Sequence, residues 1–169
     1  MIPHAPILAV FLPLLAAFLM PVVSLLSKRY KIPGGKEWLS AVFIVAELIV
    51  VLSMVPTAKT SVITYKLGGW DPPLGIILAV DALGALAATI IAGVGALVIA
   101  YSFIYMRRET GLEYYYTLLF LILAGSMGVV LTGDIFNLYV FFEIMSIASY
   151  ALVAFRRHSQ SIEASIKYL

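Results

Sequence analysis

The chain has 169 residues, 63% of them hydrophobic and 12% charged. Soluble domains average roughly 45–50% apolar and about 25% charged, so this composition excludes an ordinary soluble domain and describes an integral membrane protein. The net charge of +2 carries little weight and no nucleic-acid partner is expected, while the absence of cysteine excludes disulfides, Cys-ligated zinc and Cys-held iron–sulfur clusters within the chain.

The length leaves room for five or six spanning helices of about 20 residues each. One membrane domain over residues 1–169 is expected. The first span runs from about Ile7 to Leu26, with Pro13 and Pro21 inside it. Proline is tolerated in spanning helices and bends them. No A-x-A-like cleavage site follows, so the run reads as a retained helix and not a signal peptide. A basic, turn-rich segment, Ser27 to Lys36, leads to a second span from Trp38 to Val55, ended by Pro56. The long connection Thr57 to Val80 follows. Its Val62–Leu67 stretch reads as a short strand, and Gly68-Gly69 and Pro72-Pro73 are turn signals around an interfacial Trp70.

The third span, Asp81 to Tyr105, carries Gly84, Ala88, Ala92 and Ala96 at spacings of four, a small-residue face for close packing. Gly93 and Gly95, inside the same helix, read as packing residues too. The fourth span, Tyr114 to Thr132, meets the fifth, Asp134 to Phe155, through a tight Gly133-Asp134 turn. That makes the two antiparallel neighbours. After Arg156-Arg157-His158, Ser159 or Ser161 can cap a sixth helix that has barely begun when the chain stops. The expected fold is therefore an all-α integral membrane protein: five transmembrane helices, the start of a sixth, and a short external β-like loop near Trp70.

Loop charges set the orientation. Lys28, Arg29, Lys31, Lys36, Arg107, Arg108, Arg156 and Arg157 fall on one side, and Lys59 and Lys66 on the other. The positive-inside rule puts the N-terminus outside, the C-terminus in the cytoplasm and the chain in the cell membrane as a multi-pass protein.

Glu143 is the most informative residue. It lies in the middle of the fifth span, where a carboxylate costs roughly 2.5–3.5 kcal/mol on insertion scales. At 3.6 residues per turn, Tyr139, Ser146 and Tyr150 share its face, and Thr132 extends that face beyond the helix. Such a stripe can hold water and pass protons, which makes Glu143 either a protonatable site for ion movement or a glutamate that locks its helix to a neighbour. Glu47, in the second span, has only apolar face neighbours and reads as a contact with a partner subunit or a polar spot on a neighbouring helix. Asp81 and Asp134 sit where N-caps belong. Lys167 reads as a snorkelling lysine near a helix end. His158 reads as part of the basic edge or as a proton acceptor at the mouth of the stripe. No metal-ligand spacing, nucleophile–base pair or phosphate loop is visible, so no enzymatic chemistry is expected in this chain.

The segment LAGSMGVVLTGDIFNLYVFFEIMSIASYALVAF, Leu123 to Phe155, resembles the most recognisable stretch of the antiporter-like subunits of Mrp cation/proton antiporters, complex I and membrane-bound hydrogenases. Its Asp134–Glu143 block is close to the Mrp D-type version. Two further stretches fit: Leu67-Gly68-Gly69-Trp70 with Pro73, Gly75, Ile76 and Asp81, and Ala164-x-x-Lys167-Tyr168-Leu169. The resemblance implies that Glu143 is the family's fifth-helix glutamate, central to proton translocation, and that Lys167 is the lysine at the base of the sixth helix. It implies a subunit of a multisubunit complex moving protons, sodium or both. That complex is redox-driven and hydrogenase-like, or alternatively an Mrp antiporter, with redox cofactors only in partner subunits. A non-transporting scaffold is the competing reading. A complete member is built on two inverted repeats, and this chain corresponds to the N-terminal part, ending at the opening of the sixth helix. With this topology, a cysteine placed at Lys66 reacts with an impermeant thiol reagent from outside the cell; reaction only from inside overturns it.

Overall fold

The computed structural model describes residues 2–30, 34–70 and 75–169. Lys31 in the basic loop and the Pro72-Pro73 turn signal lie outside the described residues. Among the described residues there are six α-helices and a hairpin: α1 (Ala5–Tyr30), α2 (Gly35–Ala58), β1 (Ile63–Lys66), a 3-10 turn (Leu67–Gly69), β2 (Ile77–Val80), α3 (Ala82–Tyr105), α4 (Leu112–Leu131), α5 (Ile135–Val153) and α6 (Ser159–Tyr168). The helices α1 to α5 are long and apolar enough to cross a membrane. α1 and α2 extend past the apolar limits at both ends, because the backbone ladder continues through polar residues such as Lys28 and Arg29. An apolar run marks hydrocarbon depth, not the helix end.

The expected aspartate caps form. Asp81 Oδ1 accepts from the Gly84 N–H at 2.6 Å, and Asp134 Oδ1 accepts from the Phe136 N–H at 2.8 Å. The serine cap expected for α6 does not. His158 occupies the N-cap position without a side-chain bond. Ser161 lies inside the first turn, where its hydroxyl donates back to the His158 carbonyl at 2.8 Å.

α4 packs against α1, α3 and α5, while α2 packs against α1 and α3. The two prolines of α1 have a visible consequence. Pro21 lacks an N–H, which leaves the Ala17 carbonyl without its intrahelical donor. Thr117 of α4 supplies one, its hydroxyl donating to Ala17 O at 3.2 Å. On α3, Gly84, Ala88 and Ala92 are buried as expected, but the buried stripe then passes to Gly95, Ile99 and Ser102 and not through Ala96. A spacing of four drifts around a helix of 3.6 residues per turn. A Cβ at Gly95 would come within 2.6 Å of Leu123, whereas one at Gly93 would meet nothing within 4 Å. Of the two glycines read as packing residues, only Gly95 packs.

The expected strand pairs with a second one that reads in the sequence as plain connection. Ile63 to Lys66 runs antiparallel to Val80 to Ile77. Leu78 and Val80 point into the core shared by Val51, Met54, Ala88 and Leu131. β2 also bridges Leu78 to Thr132, and the Gly133 N–H donates to Ile77 O at 2.8 Å. The hairpin therefore holds the α4–α5 turn at one end of the bundle. At the other end Lys28 and Lys36 both reach Glu113, at 3.2 and 3.0 Å, and Arg156 reaches Glu109 at 3.0 Å. The loop charges assigned to one side gather at one end among the described residues.

The tightest helix contact is between α4 and α5. A Cβ at Gly125 would lie 2.8 Å from Met145, and one at Gly128 would overlap the Phe141 ring. Gly128→Leu should destabilise the fold by about 1–3 kcal/mol through overpacking. Gly93→Leu, facing open space, should not. Thermal unfolding of the two variants in detergent checks this.

Candidate functional site

The site begins at the α4–α5 turn. The Asn137 side-chain amide donates to the Thr132 hydroxyl at 3.1 Å, and the Asp134 N–H reaches the same oxygen at 3.3 Å. Asn137 is only 6% exposed. Thr132 is thus occupied in the turn and does not extend the Glu143 stripe, because it caps α4 with extended backbone and lies off the axis of α5. Asn137 carries only a faint mark in the sequence. Its signal is an amide three residues after a capping aspartate, inside an apolar run.

This turn fixes how α5 is rotated. Asn137 and Ala148 are its buried side chains, and Phe141 and Met145 lie against the α4 glycines. These four residues mark the inner face. Glu143 is two residues from Phe141, about 200° around the helix, and so points away from α4. Tyr139 is 62% exposed, Glu143 is exposed, and Ser146 and Tyr150 are half-buried. No described residue forms a hydrogen bond or ion pair with Glu143. The structure brings Tyr139, Glu143, Ser146 and Tyr150 onto one outward face.

It does not bring Lys167 or His158 to the glutamate. Lys167 pairs with Glu163 one turn earlier in α6, at 2.6 Å. α6 packs on α5 near its end, where the Ser165 hydroxyl donates to Tyr150 O at 2.8 Å. That level is seven residues, or roughly 10 Å, from Glu143 along the helix. His158 is exposed at the basic end, beside Arg156 and Tyr105.

Glu47 is a second intramembrane carboxyl, expected at a contact with a partner subunit or against a polar spot on a neighbouring helix. It is 2% exposed, inside the bundle, and neither oxygen has a hydrogen-bond partner among the described residues. A chain of contacts sets its depth. Ile44 and Leu123 both meet Gly95, and Gly125 meets Met145 and Phe141. α2 and α4 run in the same direction, from the basic end toward the hairpin. Glu47 and Glu143 therefore lie within about one turn of the same depth, one inside the bundle and one on its outer wall. Among the described residues no group of three His, Asp or Glu side chains could hold a metal ion.

Residues 69–116 match the family model for the N-terminus of chain 5 of NADH-ubiquinone oxidoreductase, complex I. The chain is 35% identical over 174 residues to NADH-quinone oxidoreductase subunit N of Desulforudis audaxviator, covering 98% of this chain and 33% of that protein. It is 42% identical over 106 residues to the D subunit of the Na(+)/H(+) antiporter of Bacillus subtilis, covering 63% of this chain and 22% of that one. A subunit in the structure of the membrane-bound sulfane sulfur reductase, an archaeal respiratory membrane complex, superposes with a TM-score of 0.86. That match has 32% identity and covers 96% of this chain and 33% of the other. The chain thus spans a third or less of the length of these relatives.

A buried polar group without a partner costs stability, and a well-packed apolar replacement removes that cost. Glu47→Leu should accordingly raise stability by about 1–3 kcal/mol. A lowered unfolding midpoint would show that the folded protein satisfies the carboxyl.

Proposed function

We propose that the chain is an antiporter-like membrane subunit of the Mrp and complex I-like kind, corresponding to the N-terminal part of such a subunit, and that it moves protons, sodium or both within a multisubunit, redox-driven complex. The observation that carries this reading is the outward polar face of α5. Tyr139, Glu143, Ser146 and Tyr150 lie on the side of the helix that α4 does not cover. A carboxyl exchanges a proton directly, and a hydroxyl both donates and accepts. Glu143 is the loading point in this scheme, and the hydroxyls and bridging waters are the steps toward the basic end. There His158 and Lys167 receive or release the proton. Neighbouring subunits or further helices of a longer chain pack on the α5 face and complete the path. Redox cofactors and electron transfer belong to partner subunits.

The likeness to a subunit of an archaeal respiratory complex supports redox drive. The likeness to an antiporter of the D type supports the alternative, an Mrp cation/proton antiporter. In either case the basic end faces the cytoplasm and the hairpin faces outward across the cell membrane, as the loop charges favour. The domain is a single membrane unit corresponding to the N-terminal part of such a subunit.

Glu143→Gln and Glu143→Ala should both abolish coupled ion movement in membrane vesicles, read as loss of the pH gradient formed on energisation, while the complex still assembles. Full pumping by an assembled Glu143→Ala complex would mean that the subunit is a scaffold.

A further inference from the structure

A cavity of about 690 Å³ opens at the basic end, between the start of α4, the end of α5 and α6. Its walls change character with depth. Thr117 and Leu118 of α4 and Ala151 of α5 form the deep part, while Glu109, Thr110 and Arg157 lie past the helix ends. The cavity therefore straddles the boundary between hydrocarbon and headgroups.

Its charges are unequally committed. Glu109 is paired with Arg156 at 3.0 Å, and Arg156 also donates to the Tyr105 hydroxyl at 3.4 Å and lies over that ring. Arg157 has no side-chain hydrogen bond or ion pair among the described residues. Its backbone sits at φ 53°, and its N–H closes α5 by donating to Ala154 O at 2.9 Å. Glycine or asparagine is the common choice at such a position, so the arginine here is a backbone cost that no side-chain hydrogen bond or ion pair among the described residues offsets. The proton path along α5 uses neither arginine.

We propose that this cavity holds an anionic phospholipid, with its phosphate on Arg157 and its acyl chains along Leu118, Ala151 and Phe155. Guanidinium matches phosphate with paired, charge-assisted hydrogen bonds. Basic pockets between spanning helices on the cytoplasmic side suit anionic headgroups. The apolar lower half selects a lipid over a free anion.

The test is lipid binding to the full chain in detergent, by native mass spectrometry, with phosphatidylglycerol and phosphatidylcholine of identical acyl chains. Phosphatidylglycerol should be preferred, and Arg157→Gln should weaken its binding about fivefold, the order expected for one arginine at the surface. Arg157→Lys should keep most of the affinity, as should Arg108→Gln outside the cavity. Ala151→Trp, which fills the deep half without changing charge, should weaken binding as well. Equal binding of the two lipids, an unaffected Arg157→Gln protein, an unaffected Ala151→Trp protein, or displacement of the lipid by inorganic phosphate would each overturn the proposal. So would cross-linking of a cysteine at position 157 to another protein segment in native membranes.

Discussion

The close approach of α5 to α4 decides where every polar group of α5 points. Gly125 and Gly128 leave no side chain between the two backbones, and Phe141 and Met145 fill the space instead. In a membrane, helices associate through such packing and not through hydrophobic burial. With that seam set, the opposite side of α5 must face outward. That side carries Tyr139 and Glu143. Turning the glutamate inward would cost the contacts that Phe141 and Met145 make with the glycine seam.

The seam is held in rotation by its ends. At the hairpin end, Thr132, Asp134 and Asn137 form one hydrogen-bonded turn, and β2 pins it through Ile77 and Leu78. At the basic end, Glu113 gathers α1 and α2 through Lys28 and Lys36, while Glu109 reaches Arg156 just beyond α5. Between them Thr117 satisfies the carbonyl that Pro21 releases. A side chain that works by geometry needs such a rigid support. Glu47 lies at nearly the same depth as Glu143 but inside that support, and the two carboxyls face unlike surroundings.

The spans were legible because apolar runs and turn residues in a membrane chain mark depth directly. The caps at Asp81 and Asp134 were legible because an aspartate before an apolar run has few other uses. β2 was not, since Ile76 to Val80 is an apolar run whose length and composition fit a strand or the entry to α3 equally well. The burial of Glu47 was invisible for a related reason: in a helix apolar all round, periodicity marks no face. The shared face of Tyr139, Glu143, Ser146 and Tyr150 followed from spacing alone. Its outward direction did not, because that depends on glycines in another helix. The pairing of Lys167 with Glu163 follows the i,i+4 rule and was readable, yet the position of that lysine near a helix end drew the reading toward snorkelling.

The most direct measurement is infrared difference spectroscopy of the carboxylic C=O stretch in the native membrane assembly, recorded as it is driven through turnover. A protonation band that is present in the wild type and in Glu47→Gln but missing in Glu143→Gln is the expected result. A band that survives Glu143→Gln and vanishes with Glu47→Gln would place the working carboxyl inside the bundle and contradict the role given to the outer face of α5.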